Sequence, residues 1–188
     1  VTIEDRAFEG CKSLQQIVIP NSVTSIGCKA FYDCESLQQV VLSNAITTIK
    51  EYTFCYCTSL MYVLIPKTVS CIESYAFATC KSLICITIPD SVIRIGHHAF
   101  LFCESLQKIN NSTRFIFCDG CLIDNVENHF LFYVGKEKKI IIPNSVKQIN
   151  EYAFDGFETV QQIIIPNSVT YIEKNAFVGV SIKSILIP

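Results

Sequence analysis

The sequence predicts a repeat solenoid, in which one short coil stacks on the next, and three observations carry that prediction. A phenylalanine returns every 23 residues, at Phe8, Phe31, Phe54, Phe77 and Phe100, and Phe154 and Phe177 keep the same spacing. Aliphatic columns return with it: Leu14, Leu37, Leu60, Leu83 and Leu106; Ile17, Val40, Val63, Ile86 and Ile109, then Ile140, Ile163 and Ile185; Ile26, Ile49, Ile72 and Ile95, then Ile149 and Ile172. A proline follows the first apolar pair at Pro20, Pro66, Pro89, Pro143 and Pro166. Self-similarity at a fixed period of 20–50 residues marks units that cannot bury an apolar side alone and must stack.

Each element follows from local chemistry. The I-x-I stretch, Ile17-Val18-Ile19 in the first full copy, alternates column and variable residues, the pattern of a strand with one buried face. Its β-branched residues suit a pleated surface. The proline after it lacks an N–H and stops the ladder. Asn or Asp with Ser or Thr then favours a turn. V-x-x-I, as in Val23 to Ile26, reads as a second short extended piece. The A-F-x-x-C segment, as in Ala30 to Cys34, is read as a turn of α- or 3₁₀-helix. Successive coils then lie about 4.8 Å apart along parallel strands.

The repeated unit L-x-x-I-x-I-P-x-S-V-x-x-I-x-x-x-A-F-x-x-C resembles the leucine-rich repeats of the BspA-like type, also called the Treponema pallidum type. The signature I-P-N-S-V-T-x-I-x-x-x-A-F stands almost whole at residues 19–31 and again at 165–177, and the resemblance covers essentially the whole chain. It implies a right-handed leucine-rich-repeat horseshoe, with a parallel β-sheet on one face and short strands and helical or 3₁₀ turns on the other. Members include surface proteins of bacteria and of parasitic protists, some of them adhesins. The implied function is a non-enzymatic protein-binding or adhesion module at the cell surface or secreted, and the alternative is a cytoplasmic scaffold or signalling repeat protein.

Composition fits stacked apolar columns: 50% of residues are hydrophobic and 17% charged, the latter below the usual ~25%. A net charge of −2 with pI near 5.9 gives no reason to expect nucleic acid. No apolar run approaches the ~18 residues of a membrane span. One repeat domain over residues 1–188 is expected. Val1 and Ile187-Pro188 fall in mid-repeat without polar capping units, so the chain is expected to be a piece of a longer protein whose open ends could self-associate.

Residues 110–139 break the pattern, because Ile109 and Ile140 stand 31 apart rather than 23 and the A-F pair is missing. Phe115-Ile116-Phe117, Cys118-Asp119-Gly120-Cys121 and the polar run 124–128 read as a β-hairpin or small meander replacing half of one coil. The family resemblance implies a similar aromatic-x-x-G-x-L hairpin unit.

Eleven cysteines occur, five of them in one column at Cys11, Cys34, Cys57, Cys80 and Cys103. Column neighbours have parallel Cβ vectors about 5 Å apart, whereas a disulfide needs about 3.8 Å. They are expected to be buried thiols acting as small hydrophobes, as Phe157 and Val180 do at the same column position. Cys118-x-x-Cys121 is a lone pair with no second pair to complete a zinc site.

No cofactor or catalytic residue is expected. His97 and His98 take variable positions expected at the surface, and His129 lies in the irregular unit. Glu35, Glu73, Asp90 and Glu173 read as solvated charges. Asn110 and Asn111 each begin an N-x-[ST] sequon, a glycan acceptor in a secreted eukaryotic protein.

The candidate binding surface is the outward face of the I-x-I strands, expected to be concave. Side chains flanking the buried strand position point away from the core. One outward column contains Val41, Leu64, Thr87, Asn110, Ile141 and Ile164; the other contains Gln39, Tyr62, Cys85, Lys108, Lys139 and Gln162. Tyr62, Leu64 and the neighbouring Met61 are the expected anchors for a protein or glycan on a host or neighbouring cell.

Overall fold

The computed structural model describes residues 1–110 and 112–187. It divides into two compact units, Val1–Ser112 and Thr113–Pro188, and both are β-solenoids with the 23-residue period.

In the first unit the I-x-I segments form β2 (Gln16–Val18), β4 (Gln39–Val41), β6 (Tyr62–Leu64), β8 (Cys85–Thr87) and β10 (Lys108–Asn110). They make one parallel five-stranded sheet in chain order. Its register pairs Gln16 with Gln39, Gln39 with Tyr62, Tyr62 with Cys85 and Cys85 with Lys108, so each repeat column becomes a row across the sheet. The shorter pieces are β1 (Thr2–Ile3), β3 (Ser25–Ile26), β5 (Thr48–Ile49), β7 (Cys71–Ile72) and β9 (Arg94–Ile95). They pair in parallel as β1-β3 and β5-β7-β9.

The second unit repeats both layers. β14 (Lys139–Ile141), β16 (Gln162–Ile164) and β18 (Ser184–Leu186) form one parallel sheet. The irregular segment folds as an antiparallel meander of β11 (Phe115–Cys118), β12 (Cys121–Asp124) and β13 (His129–Tyr133). β13 then pairs in parallel with β15 (Gln148–Ile149), which pairs with β17 (Tyr171–Ile172). Asp119 and Gly120, both at positive φ, form the two-residue turn between Cys118 and Cys121, the backbone of a type I′ hairpin. Asp124 closes the next turn: it is buried, accepts the Val126 and Glu127 N–H groups, and takes two bonds from the Arg114 guanidinium at 2.7 and 2.9 Å.

The core is a stack of like on like. The Phe8, Phe31, Phe54, Phe77 and Phe100 rings lie 5.1 to 5.6 Å apart, and Phe154 and Phe177 lie 5.2 Å apart. Between them and the strands sit the buried Leu, Val and Ile columns.

The A-F segment is not helical, and no helix occurs among the described residues. Two positions per coil are left-handed: Lys29 and Asp33, Tyr52 and Tyr56, Tyr75 and Thr79, His98 and Phe102, with Arg6, Gly10, Tyr152, Gly156, Asn175 and Gly179 in the matching places. Main-chain donors then alternate. The Lys29, Phe31 and Asp33 N–H groups donate to Glu51, Thr53 and Cys55 of the next coil, while Ala30, Tyr32 and Cys34 donate back to Gly27, Lys29 and Phe31. A helix would need all these donors within its own turn, so bonding between coils displaces it.

Cys11, in the first coil, is exposed rather than buried, and the other four column cysteines do more than fill space. Cys34, Cys57, Cys80 and Cys103 are fully buried, and their Sγ atoms donate to the carbonyls of Phe8, Phe31, Phe54 and Phe77 at 3.1 to 3.2 Å. The thiol is thus a hydrogen-bond donor to the preceding coil as well as a small apolar group. Burial pushes the Cys34 thiol up to about 11 and Cys55 and Cys121 up to about 12, and raises Cys57, Cys80 and Cys103 as well. An unfolded thiol ionises near 8.5. Below that value both states hold the proton and the native preference is fully present. Above it the unfolded chain releases protons that the native chain retains, so stability falls as pH rises. The urea midpoint is expected to drop from about pH 8.5 through 11. The Cys57→Val, Cys80→Val double variant should show a shallower drop. Equal slopes for the two proteins would refute this source of base sensitivity.

Candidate functional site: the outward face of the longer strands

Strand parity decides this surface. In β4, β6 and β8 the middle residue, Val40, Val63 or Ile86, is directed into the core, and its neighbours point out. In the first unit Val18 is paired with Val41, and Leu64 with Thr87 and then Asn110. Val18, Val41 and Leu64 are 71%, 57% and 69% exposed, an aliphatic row in open solvent. Beside it Gln39, Tyr62 and Lys108 are exposed and Cys85 is half-buried. Met61 precedes β6 and is half-buried. In the second unit Lys139 pairs with Gln162, and Ile141 with Ile164; Lys139 and Ile141 are exposed, Gln162 and Ile164 half-buried.

The structure thus brings Gln39, Val41, Tyr62, Leu64, Cys85, Thr87, Lys108 and Asn110 onto one sheet face, and Lys139, Ile141, Gln162 and Ile164 onto another. Asn110 and Cys85 touch, with Nδ2 donating to Sγ at 2.9 Å. That bond uses one of the two N–H donors on the Asn110 nitrogen to which a glycan would attach. Asn111 lies outside the described residues.

Several titratable groups stand elsewhere than expected. His98 is buried rather than at the surface, because its ring stacks on Tyr75 at 4.8 Å, in line with the Tyr52–Tyr75 stack. His97 is exposed and His129 half-buried. Glu73 and Glu173 are not simple solvated charges: each carboxylate accepts a main-chain N–H of the preceding coil, from Glu51 and Glu151. Glu35 is exposed and takes the Lys12 ammonium at 2.6 Å, and Asp90 is exposed. Among the described residues no group of three His, Cys, Asp or Glu side chains could hold a metal ion, and no helix is long and apolar enough to cross a membrane.

One feature escaped the sequence reading. Leu64 and Thr87 continue into a groove at the rim of the first unit, with Pro89, Lys67, Asp90 and Ser91. A change in one variable column, from asparagine to charged residues, was the available signal.

Comparison with known proteins agrees with this architecture. Among curated proteins no sequence match is found. A leucine-rich repeat protein of Treponema pallidum is 25% identical, with a TM-score of 0.59 over 92% of this chain and 66% of that one. A leucine-rich cell surface protein of Faecalibacterium prausnitzii is 26% identical, with a TM-score of 0.54 over 99% of this chain and 64% of that one. A leucine-rich repeat protein of Eubacterium ventriosum has the same fold, at 24% identity and a TM-score of 0.76, covering 96% of this chain and 49% of that one. This chain therefore spans less than two thirds of the length of each of these proteins. The model of the BspA-type leucine-rich repeat region matches residues 1–122 and 124–188 in six copies. With its period, its stacked phenylalanines and that match, the chain belongs to the BspA-type leucine-rich repeat family.

Proposed function

We propose that this chain is a non-enzymatic recognition module of a surface protein, one leucine-rich-repeat domain over residues 1–188, which mediates adhesion by binding a protein or glycan on a host or neighbouring cell. The observation that supports this reading most is the row Val18, Val41 and Leu64, which end the successive strands β2, β4 and β6 and are exposed to solvent. β-propensity alone favours such residues in strands, but a row of large apolar side chains flanked by Gln16, Gln39 and Tyr62 has the composition of an interface core with a polar rim. The surface location draws on the Faecalibacterium relative, which is described as a cell surface protein.

The test is a binding screen against matrix proteins and glycans with the wild-type chain and the Val41→Lys, Leu64→Lys double variant. Both side chains point outward, so the variant should keep its sheet circular dichroism. Its affinity for any captured ligand should fall by roughly a hundredfold or more, as for loss of two hot-spot residues. Unchanged affinity would move the site off this face.

A further inference from the structure

The rim at the end of the longer strands changes character along the first unit. In the first two coils it carries asparagines, and Asn21 Oδ1 accepts the Asn44 N–H at 2.8 Å, joining one coil to the next. The same column then reads Lys67 and Asp90. There the rim opens into a groove of about 540 Å³, within the roughly 300–1,000 Å³ typical of ligand pockets. Leu64, Thr87 and Pro89 supply its apolar part, and Lys67, Asp90 and Ser91 its polar part. Ser91 is held by its hydroxyl, which donates to the Val69 carbonyl at 2.9 Å. Leu64 belongs to the groove and also ends the exposed row Val18, Val41 and Leu64, so the two form one continuous surface.

The chemistry of that surface selects among partners. Its outward side chains on the first three longer strands are three aliphatics, two glutamines and one aromatic, Tyr62. An aliphatic row buries aliphatic area of its partner, and a sugar offers little of it. Opposite charges on successive coils, Lys67 and Asp90, give the groove a polarity that a polypeptide carrying both charge types can match. We propose that the groove takes one bulky apolar side chain of an extended polypeptide segment crossing the strands, with a carboxylate of that segment on the Lys67 ammonium. This inference rests on the outward strand face being the binding surface.

The experiment is selection from a phage-displayed random peptide library on the immobilised chain, followed by titration of the enriched peptide in solution. The expected consensus is a bulky apolar residue beside an acidic one. Selection on Lys67→Glu should exchange the acidic position for a basic one. The wild-type consensus peptide should lose roughly tenfold or more in affinity on Lys67→Glu and on Thr87→Arg, which fills the groove. Circular dichroism of both variants guards against misfolding. Loss on Val41→Lys with no loss on Lys67→Glu and Thr87→Arg overturns the groove and leaves the strand face standing. Insensitivity to all three substitutions overturns both. Failure to enrich a consensus overturns the polypeptide assignment, as does an array glycan whose binding Thr87→Arg abolishes. Self-association of the chain that Thr87→Arg abolishes would make the occupant a second copy and overturn it too.

Discussion

Phe54→Ala is expected to lower the unfolding free energy of the first unit by about 3–5 kcal/mol, the range for deleting a buried aromatic ring. Phe54 is fully buried between Phe31 and Phe77, each 5.4 Å away. Its ring is therefore part of two coil–coil interfaces at once. In a solenoid, stability is approximately a sum of unit and nearest-neighbour terms, so one deletion weakens both neighbours. Stacked rings also contribute beyond the area they bury. Phe177→Ala is the internal comparison: that ring is only half-buried and stacks on Phe154 at 5.2 Å. Urea denaturation followed by far-UV circular dichroism should give a clearly larger loss for Phe54→Ala. Equal losses would mean that the ring column does not couple the coils.

Gly120→Ala is expected to destabilise the second unit by about 2–5 kcal/mol, from two separate causes. Gly120 has φ +76°, where a Cβ costs about 1–2 kcal/mol. The new methyl would also stand 2.7 Å from Gly135 Cα and 2.8 Å from Tyr133 Cε2, and overpacking of this kind adds about 1–3 kcal/mol. Tyr133 has little room to yield. It is 1% exposed, meets Phe157 edge-on at 5.1 Å, and its hydroxyl accepts the Glu137 N–H at 2.8 Å. Gly10→Ala separates the two causes. Its φ is +69°, but nothing lies within 4 Å of an added Cβ, so only the conformational part applies. Should both substitutions cost the same, the contact of the hairpin turn with Tyr133 contributes nothing.

The sequence was most legible where side chains act through burial. Column spacing predicted the strands, their parity and the stacked rings, because each coil repeats one apolar pattern and parallel register keeps like beside like. It was least legible in the A-F segment. There Lys29, Tyr52 and Tyr75 hold left-handed backbone, and neither lysine nor tyrosine signals that conformation; only Asp33, His98, Asn175 and the glycines in matching places do. The cause is a bond to another coil, such as Phe54 N–H to the Ala76 carbonyl at 2.8 Å, which no local window contains. Burial of His98 and the bonds of Glu73 and Glu173 were hidden for the same reason: their partners lie in neighbouring coils. The outward face was legible as a pair of columns, but the rim groove depends on a three-dimensional opening between Lys67 and Asp90 that composition does not show.

The alternating donors of the turn face bear on how such a gene can grow. From the Phe8 coil to the Phe77 coil, each presents the next with the same set of outward N–H groups, received on the same carbonyls. Duplication of a whole 23-residue unit therefore inserts without leaving a main-chain group unmatched, whereas a one-residue insertion in the turn face would reverse which donors point outward. The meander shows what a tolerated insertion must preserve. However β11 and β12 wander, β13 returns in parallel with β15, and the Tyr133 N–H reaches the Ala153 carbonyl at 2.7 Å, handing the following coil its usual connection. Length in this architecture varies by whole units, and novelty enters as detours that return to the same docking points.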